Sequence, residues 1–516
     1  MKKAILLIVS TCAALLSCST TPTTEADRSA FGSYVYDLDT LQLQQNLQQI
    51  LSADTSDWKA HLIVRQHYAS ANRYEDTPLW FNRMGVSEDA DSLLAILRRE
   101  LPLAGLDSAA FLLPQIAQDL EIIHRLAFDS LNVSINEVLP RLDYNLSRTY
   151  VHYCSGQRYG FLRPDKLLNQ LDYKLAGPGY ARLFDYEVQT PNYDEALRQL
   201  LSDDRMDYLR DSHPAGAVYE TLRAAIDTTT SDELRRKLAI NIERCRWQMQ
   251  QPTTDGRRII VNLAAQQLWA IGPDSILNMR ICCGSTLTKT PLLHSAIKYM
   301  QVNPEWVIPQ NIVKTDITRH AGDSAYFARH RYYIINRSTG DTLNPAKVTS
   351  NEMLSGRLRI AQFGGAGNSL GRIVFRFPND FAVYLHDTNN PSAFQRERRT
   401  LSHGCIRVQQ PFELAQFLLP DADEWTLDRL RLSMDMAPQS ERGRDYLKDL
   451  RERERNGETI QRPLRLLTYH DIKPNVPLFI IYYTAYPDPE THLINYYSDI
   501  YGYDRVLLRA AQSLIP

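Results

Sequence analysis

The chain has 516 residues, of which 44% are hydrophobic and 23% charged, and its formal net charge is -2. That composition excludes a disordered or collagen-like chain and describes a globular protein long enough for two to four domains of roughly 100–200 residues. The near-neutral balance, without zinc-finger spacing or a sustained run of one sign, argues against nucleic acid as a partner.

The first 18 residues read as an address. Lys2 and Lys3 give a positive start, and residues 4–16 an apolar run too short to span ~30 Å of hydrocarbon. Leu15-Leu16-Ser17-Cys18 then resembles a lipoprotein signal-peptidase site. The expectation is a lipoprotein signal peptide over 1–18 with Cys18 lipidated, and a polar linker over 19–35; an ordinary secretory signal is the alternative. Either way the mature chain is exported, and with the lipid it faces the periplasm from a membrane anchor. Without Cys12 and Cys18 the cysteines left are Cys154, Cys245, Cys282, Cys283 and Cys405, an odd count with at least one free thiol.

Residues 36–236 read as a helical domain. Leu113, Ile116, Leu120 and Ile123 recur at helical spacing, with Pro114 where a first turn tolerates it. Ser134 with Glu137, and Thr230 with Glu233, fit capping boxes. Leu234, Leu238, Ile242 and Cys245 form one stripe. These are core faces and carry no function by themselves.

After Trp247 the texture changes. "RRIIVNL", "LWAIG", "LNMRICCG", "RIVFRFPND" and "FAVYLHDT" are short β-rich runs bounded by turn residues, which predicts a sheet-built domain over 237–425. Cys282 and Cys283 point to opposite faces of one such strand and look like core filler. From about 303 to 371 lies a polar, aromatic insertion with weak periodicity. A segment that long inside a compact domain is more often a lid than a connector. "PFELAQFLL" predicts a helix with Pro411 in its first turn. Residues 426–462 are charged, and from Leu466 strand texture returns in "VPLFIIYYTAY", so 426–516 reads as a C-terminal extension packing on the sheet domain.

The chemistry gathers at two places. Alternation in "AVYLHDT" puts Tyr384 and His386 on one face of a strand, and in "GCIRVQ" Cys405 and Arg407 share a face. Neighbouring strands would bring His386 and Cys405 together. A free thiol with pKa ~8.5 is mostly protonated at neutral pH, and a nearby imidazole can take its proton and later return it to a leaving amine. A developing oxyanion needs fixed donors, which backbone N–H groups at His403, Gly404 and Cys405 could supply. Gly404 allows an unusual φ beside the thiol. A metal site built from His386, His403 and Cys405 lacks an obvious fourth ligand.

At these residues the chain resembles the L,D-transpeptidases that remodel bacterial peptidoglycan. "YLHDTNNPSAFQRERRTLSHGCIRVQQP" matches their signature of a histidine followed by Ser/Thr-His-Gly-Cys. "LWFNRMG", "GLDSAAF", "NIERCRW", "TKTPLL", "NPEWVIP", "GAGNSLG" and "YYSDIYGYD" extend the resemblance to large periplasmic members of Gram-negative bacteria. The small peptidoglycan-binding module that many of those members insert has no counterpart in residues 190–240.

The resemblance implies an α+β multidomain fold: a helical N-terminal scaffold followed by a mainly β, sandwich-like catalytic domain with an inserted capping subdomain at about 303–371. It implies that Cys405 attacks the carbonyl of the third residue of a donor stem tetrapeptide and expels D-Ala. His386 would be the acid/base, His403 and Gly404 would shape the oxyanion site, and Arg407 would brace it or contact substrate. Tyr384 and Trp306 are weaker substrate-contact candidates. The partners would be donor and acceptor stem peptides and, through Cys18, the membrane. Family members are acylated by carbapenems, and no cofactor or metal is implied. The rivals are an L,D-carboxypeptidase using the same pair and a non-catalytic wall-binding lipoprotein. "GSTLTKTP" lacks the second glycine of a phosphate loop, and "GGAGNSLG" lacks the context of a dinucleotide site.

Overall fold

The computed structural model describes residues 38–70, 78–82, 85–171, 183–247 and 256–516, so Cys18 and the expected signal peptide and linker lie outside the described residues. The chain divides into two compact units, one of residues up to 100, 108–154 and 192–211, the other of 101–107, 155–191 and 212–516.

The first unit is helical. Asp39 caps Thr40–Ala53 by accepting the Leu41 and Gln42 N–H groups, and the helix buries Leu43, Leu47 and Leu51 at i, i+4 spacing. Leu113–His124 buries Leu113, Ile116, Leu120 and Ile123, as its periodicity predicts. Its polar centre is Asp143, which accepts the Leu79 and Trp80 N–H groups at 2.8 and 2.9 Å and the Tyr68 hydroxyl at 2.7 Å. A buried carboxylate is tolerated there because its oxygens are occupied. The expected capping box at Ser134 is loose, with Glu137 reaching the Ser134 N–H at 3.4 Å. In the second unit the helix Asp232–Arg246 is capped by Ser231, not Thr230, because Asp232 already has helical geometry and only the Ser231 hydroxyl reaches the Leu234 N–H.

The second unit holds a nine-stranded sheet built from β1 (Arg258–Asn262), β2 (Gln267–Ile271), β3 (Ile276–Gly284), β4 (Leu293–Val302), β5 (Ile373–Arg376), β6 (Leu385–His386), β7 (Thr400–Ser402), β8 (Ile406–Val408) and β9 (Tyr469–Ile481). Their order is β7-β3-β8-β6-β5-β4-β9-β1-β2, and β2 also pairs with β3, which closes eight strands into a barrel-like ring. Closure leaves few exposed strand edges. One face of this sheet is core: Met300, Phe375, Leu385 and Ile406 face one another across the ladder and are fully buried. Cys282 and Cys283 are buried as expected, and Cys154 and Cys245 are unbridged.

Two features differ from the sequence reading. The C-terminal stretch is no appendage, since β9 lies inside the sheet between β4 and β1. The apolar run of its second half, Val476–Ile481, is what a strand segment covered on both faces requires. The insertion is a folded four-stranded antiparallel unit of residues 306–307, 358–362, 332–336 and 342–343, with a core of its own that includes Ile312, Phe327, Ile334, Met353 and Ile360. Strands this short leave little periodicity to read.

The tail is fastened by a buried polar lattice. Asn241 accepts the Thr484 N–H at 3.0 Å and donates to the Thr484 hydroxyl at 2.8 Å. Asp504 accepts from Arg244 and from Thr484, each at 2.5 Å. Removing one member of a buried, hydrogen-bonded ion pair leaves an uncompensated charge and costs about 3–5 kcal/mol. Asp504→Ala should therefore lower the unfolding free energy by about that amount, read by denaturant titration; a loss under about 1 kcal/mol would show the pair to be dispensable.

Candidate active site

β6 and β8 run parallel, with Leu385 opposite Ile406 and His386 opposite Arg407, and the Ile406 N–H donates to the Tyr384 carbonyl at 3.0 Å. This register sets Cys405 beside Tyr384 one rung earlier. Tyr384, His386, Cys405 and Arg407 therefore share the face opposite the core, as the alternation predicts. With ~4.8 Å between strands and ~3.3 Å rise per residue, the Cα atoms of His386 and Cys405 lie diagonally about 8 Å apart. The Tyr384 and His386 rings stand edge to face at 5.9 Å.

The loop from β7 to β8 carries Ser-His-Gly-Cys, and hydroxyls hold it from both sides. Ser402 donates to the Cys405 carbonyl at 2.5 Å and accepts the Gly404 N–H at 3.1 Å. That bond engages one of the three oxyanion donors expected from the sequence. Gly404 sits at φ 118°, a conformation that L side chains rarely adopt. Behind the loop, Thr290 donates to the Gly404 carbonyl at 2.8 Å and accepts the Gly284 N–H at 2.9 Å. Thr288 donates to the Ser402 carbonyl at 3.0 Å. Gly284 must be glycine, because a Cβ there would meet the Thr288 carbonyl oxygen at 2.1 Å. Tyr501, from the tail, accepts the Thr290 N–H at 3.3 Å and donates to the Gly284 carbonyl at 2.7 Å. "GSTLTKTP", which fails as a phosphate loop, thus forms the support of the cysteine turn.

Burial sets the protonation of the pair. The Cys405 thiol is pushed up to about 11 by desolvation, against the lowering effect of the Tyr384 N–H and of Arg376. His386 is pushed down to about 3, first by desolvation and then by the charge of Arg407. Both groups are neutral at pH 7. His386 Nδ1 lies 2.5 Å from the Asp387 carbonyl oxygen, which assigns the proton of the neutral ring to Nδ1, and the Leu370 backbone is a second hydrogen-bond partner of the ring. The Asp387 carboxylate instead accepts the Arg372 N–H at 2.7 Å and anchors the turn. The Cys405 side chain keeps a path to solvent, and its Sγ lies 3.9 Å from the Ala382 carbonyl oxygen.

The other sequence candidates separate. His403 is exposed, with Nε2 at 4.0 Å from an Asp316 carboxylate oxygen of the insertion. Arg407 is on the shared face, and its buried Nε has no hydrogen-bond partner among the described residues. Trp306 packs against the core of the insertion. Cys18 lies outside the described residues. Among the described residues no group of three or more His, Cys, Asp and Glu could hold a metal ion. Ser402, Thr288, Thr290 and Tyr501 were given no role from the sequence, although Ser402 is in the motif itself.

Comparison with known proteins agrees with this geometry. Residues 256–426 match the family model of YkuD, the L,D-transpeptidase catalytic domain, and residues 63–226 match that of a scaffold domain. A Haemophilus influenzae protein named "Putative L,D-transpeptidase" is 28% identical over 330 residues. The match covers 62% of this chain and 60% of that relative's length.

Two outcomes follow from the neutral pair and its support. The rate of Cys405 alkylation by iodoacetamide should climb through pH 8–10 without a plateau, since the thiolate is scarce below about 11; a plateau already present at pH 6 would mean a resting ion pair. Thr290→Val removes a hydroxyl that bridges two backbone groups and should change the rate of Cys405 alkylation by iodoacetamide at least about threefold, with Thr290→Ser close to the parent protein; unchanged alkylation kinetics in Thr290→Val would show the bridge to be idle.

Proposed function

Because the chain carries a catalytic domain of the L,D-transpeptidase family, we propose that it is a peptidoglycan L,D-transpeptidase that forms 3→3 cross-links through an acyl-enzyme on Cys405. The observation that supports this most is the shared face on which a solvent-reachable thiol and a neutral imidazole sit diagonally across two parallel strands.

The donor stem tetrapeptide presents the carbonyl of its third residue, a diamino acid, to Cys405. Nε2 of His386 takes the thiol proton as the S–C bond forms, and gives it to the D-Ala nitrogen as the C–N bond breaks. The side-chain amine of a second stem then attacks the thioester, and its proton returns through His386 to sulfur as the S–C bond breaks. The Cys405 and His403 N–H groups face the developing oxyanion, a contribution that typically lowers the barrier by ~2.7–4 kcal/mol per donor. Arg407 keeps the imidazole from holding a proton, which favours its release to the leaving amine. A lipid on Cys18 would hold the protein at the periplasmic face of a membrane, and carbapenems would acylate the same sulfur.

Incubating the full chain with a disaccharide tetrapeptide tests this. The expected products are a cross-linked dimer and free D-Ala, with Cys405→Ala lowering the rate at least about a thousandfold. Disaccharide tripeptide without dimer would instead identify an L,D-carboxypeptidase, and full activity in Cys405→Ala would overturn the assignment.

A further inference from the structure

A cavity of about 300 Å³ opens beside the nucleophile, lined among others by Lys298, Tyr299, Arg376, Asn379, Ala382 and Tyr384. Its size is at the low end of ligand pockets, enough for a single amino acid. One wall is the loop after β5. Ala382 is held there at φ 53°, and its carbonyl oxygen is the one that lies 3.9 Å from Cys405 Sγ. The Asn379 side chain fixes this wall, accepting the Phe381 and Val383 N–H groups at 3.0 and 3.1 Å and donating to the Val383 carbonyl at 2.8 Å. A left-handed alanine clamped beside a nucleophile is local strain held by its surroundings.

The other wall is cationic. Arg376 sits over the Tyr384 ring, with Cζ 4.2 Å from its centroid, and Nε donates to Gln301 Oε1 at 3.2 Å. Its guanidinium is thereby oriented before any ligand arrives, and a planar fork suits a carboxylate. Lys298 is exposed at the rim. Asp380, in the loop after β5, is also exposed and is not among the residues that line the cavity.

We propose that this cavity is a carboxylate subsite, in which Arg376 and Lys298 hold the α-carboxylate of the amino acid whose nitrogen is bonded to the reacting carbonyl. The identity of that amino acid rests on the transpeptidase reading above. In the first half-reaction it is the leaving D-Ala. In the second it is the incoming third residue of the acceptor stem where that residue is a diaminodicarboxylic acid such as diaminopimelate, whose attacking amine stands next to a carboxylate of its own. One pocket would thus serve both halves, and water, which has no carboxylate, would gain nothing from it. Transfer is favoured over hydrolysis for that reason.

Two measurements on the full chain separate this proposal from the reading on which it rests. The first compares alkylation of Cys405 by iodoacetate and by iodoacetamide at low ionic strength, quantified by peptide mass spectrometry. Lys298→Met and Arg376→Gln should each lower the iodoacetate-to-iodoacetamide rate ratio about three- to tenfold, as expected for a unit charge lost a few ångströms from the anion. Arg376→Lys should keep most of it. A ratio unchanged in both charge-removing variants overturns the subsite, and Lys298→Met, at an exposed position, guards against an Arg376 variant that misfolds. The second compares the tetrapeptide donor with its C-terminal carboxamide. The parent protein should process the amide at least about tenfold more slowly, and Lys298→Met should narrow that gap. Equal rates on both donors in the parent protein would also overturn the subsite. If neither donor is processed while the alkylation ratio falls, the cavity still binds carboxylates and the transpeptidase reading fails instead.

Discussion

Two short parallel strands, β6 and β8, lie side by side in the sheet, and their register decides what the chemistry has to work with. With Leu385 opposite Ile406, every second side chain goes into the core and the alternate ones go to a single outer face. A slip of one residue would turn Cys405 and His386 toward the core face and Leu385 and Ile406 away from it. The apolar residues therefore hold the polar ones in register. The loop that brings the cysteine to this position is bent through Gly404 and tied down by Ser402, Thr288 and Thr290. Tyr501 and the lattice around Asp504 extend that support into the tail.

The same burial that fixes the register keeps both reacting groups neutral. Such a pair gives up the constant reactivity of a thiolate, and it protects the sulfur from oxidation until a substrate brings the proton transfer about. The arrangement has a stability consequence. His386 is neutral in the folded protein down to about pH 3, while the unfolded chain takes up a proton below about 6.5, so its contribution to stability is complete above 6.5 and is lost as pH falls toward 3. His61 in the helical unit, pushed down to about 4 chiefly by burial, acts in the same direction. Cys405 works at the other end, since its raised value favours the folded state below about 9 and loses that contribution as pH rises toward 11.

Much of this was legible in the sequence. Period-two alternation in "AVYLHDT" and "GCIRVQ" gave the shared face, and the glycine before Cys405 announced the backbone turn. What alternation cannot give is a strand's neighbour, and the pairing of β6 with β8 is a non-local fact. The place of β9 inside the sheet was hidden for the same reason, although the apolar run from Val476 was a clue. The insertion was legible as a segment from about 303 to 371, but its sheet was not, because its strands are two to five residues long. Thr288, Thr290 and Tyr501 act through backbone groups far away in sequence, so their residue types alone carry no signal. Arg376 was overlooked because an arginine in a strand reads as an exposed alternate, and only its place over Tyr384 shows its orientation.

The claim on which the account turns is that a neutral imidazole at residue 386 faces a neutral thiol at residue 405. Nitrogen-15 NMR of the histidine rings, assigned by comparison with a His386→Gln sample and followed from pH 8 to the acid limit of folding, reads this directly. The account predicts a ring that stays neutral with its proton on Nδ1 throughout. A His386 ring already protonated at pH 7, and losing that charge in Cys405→Ala, would contradict it by revealing a resting ion pair.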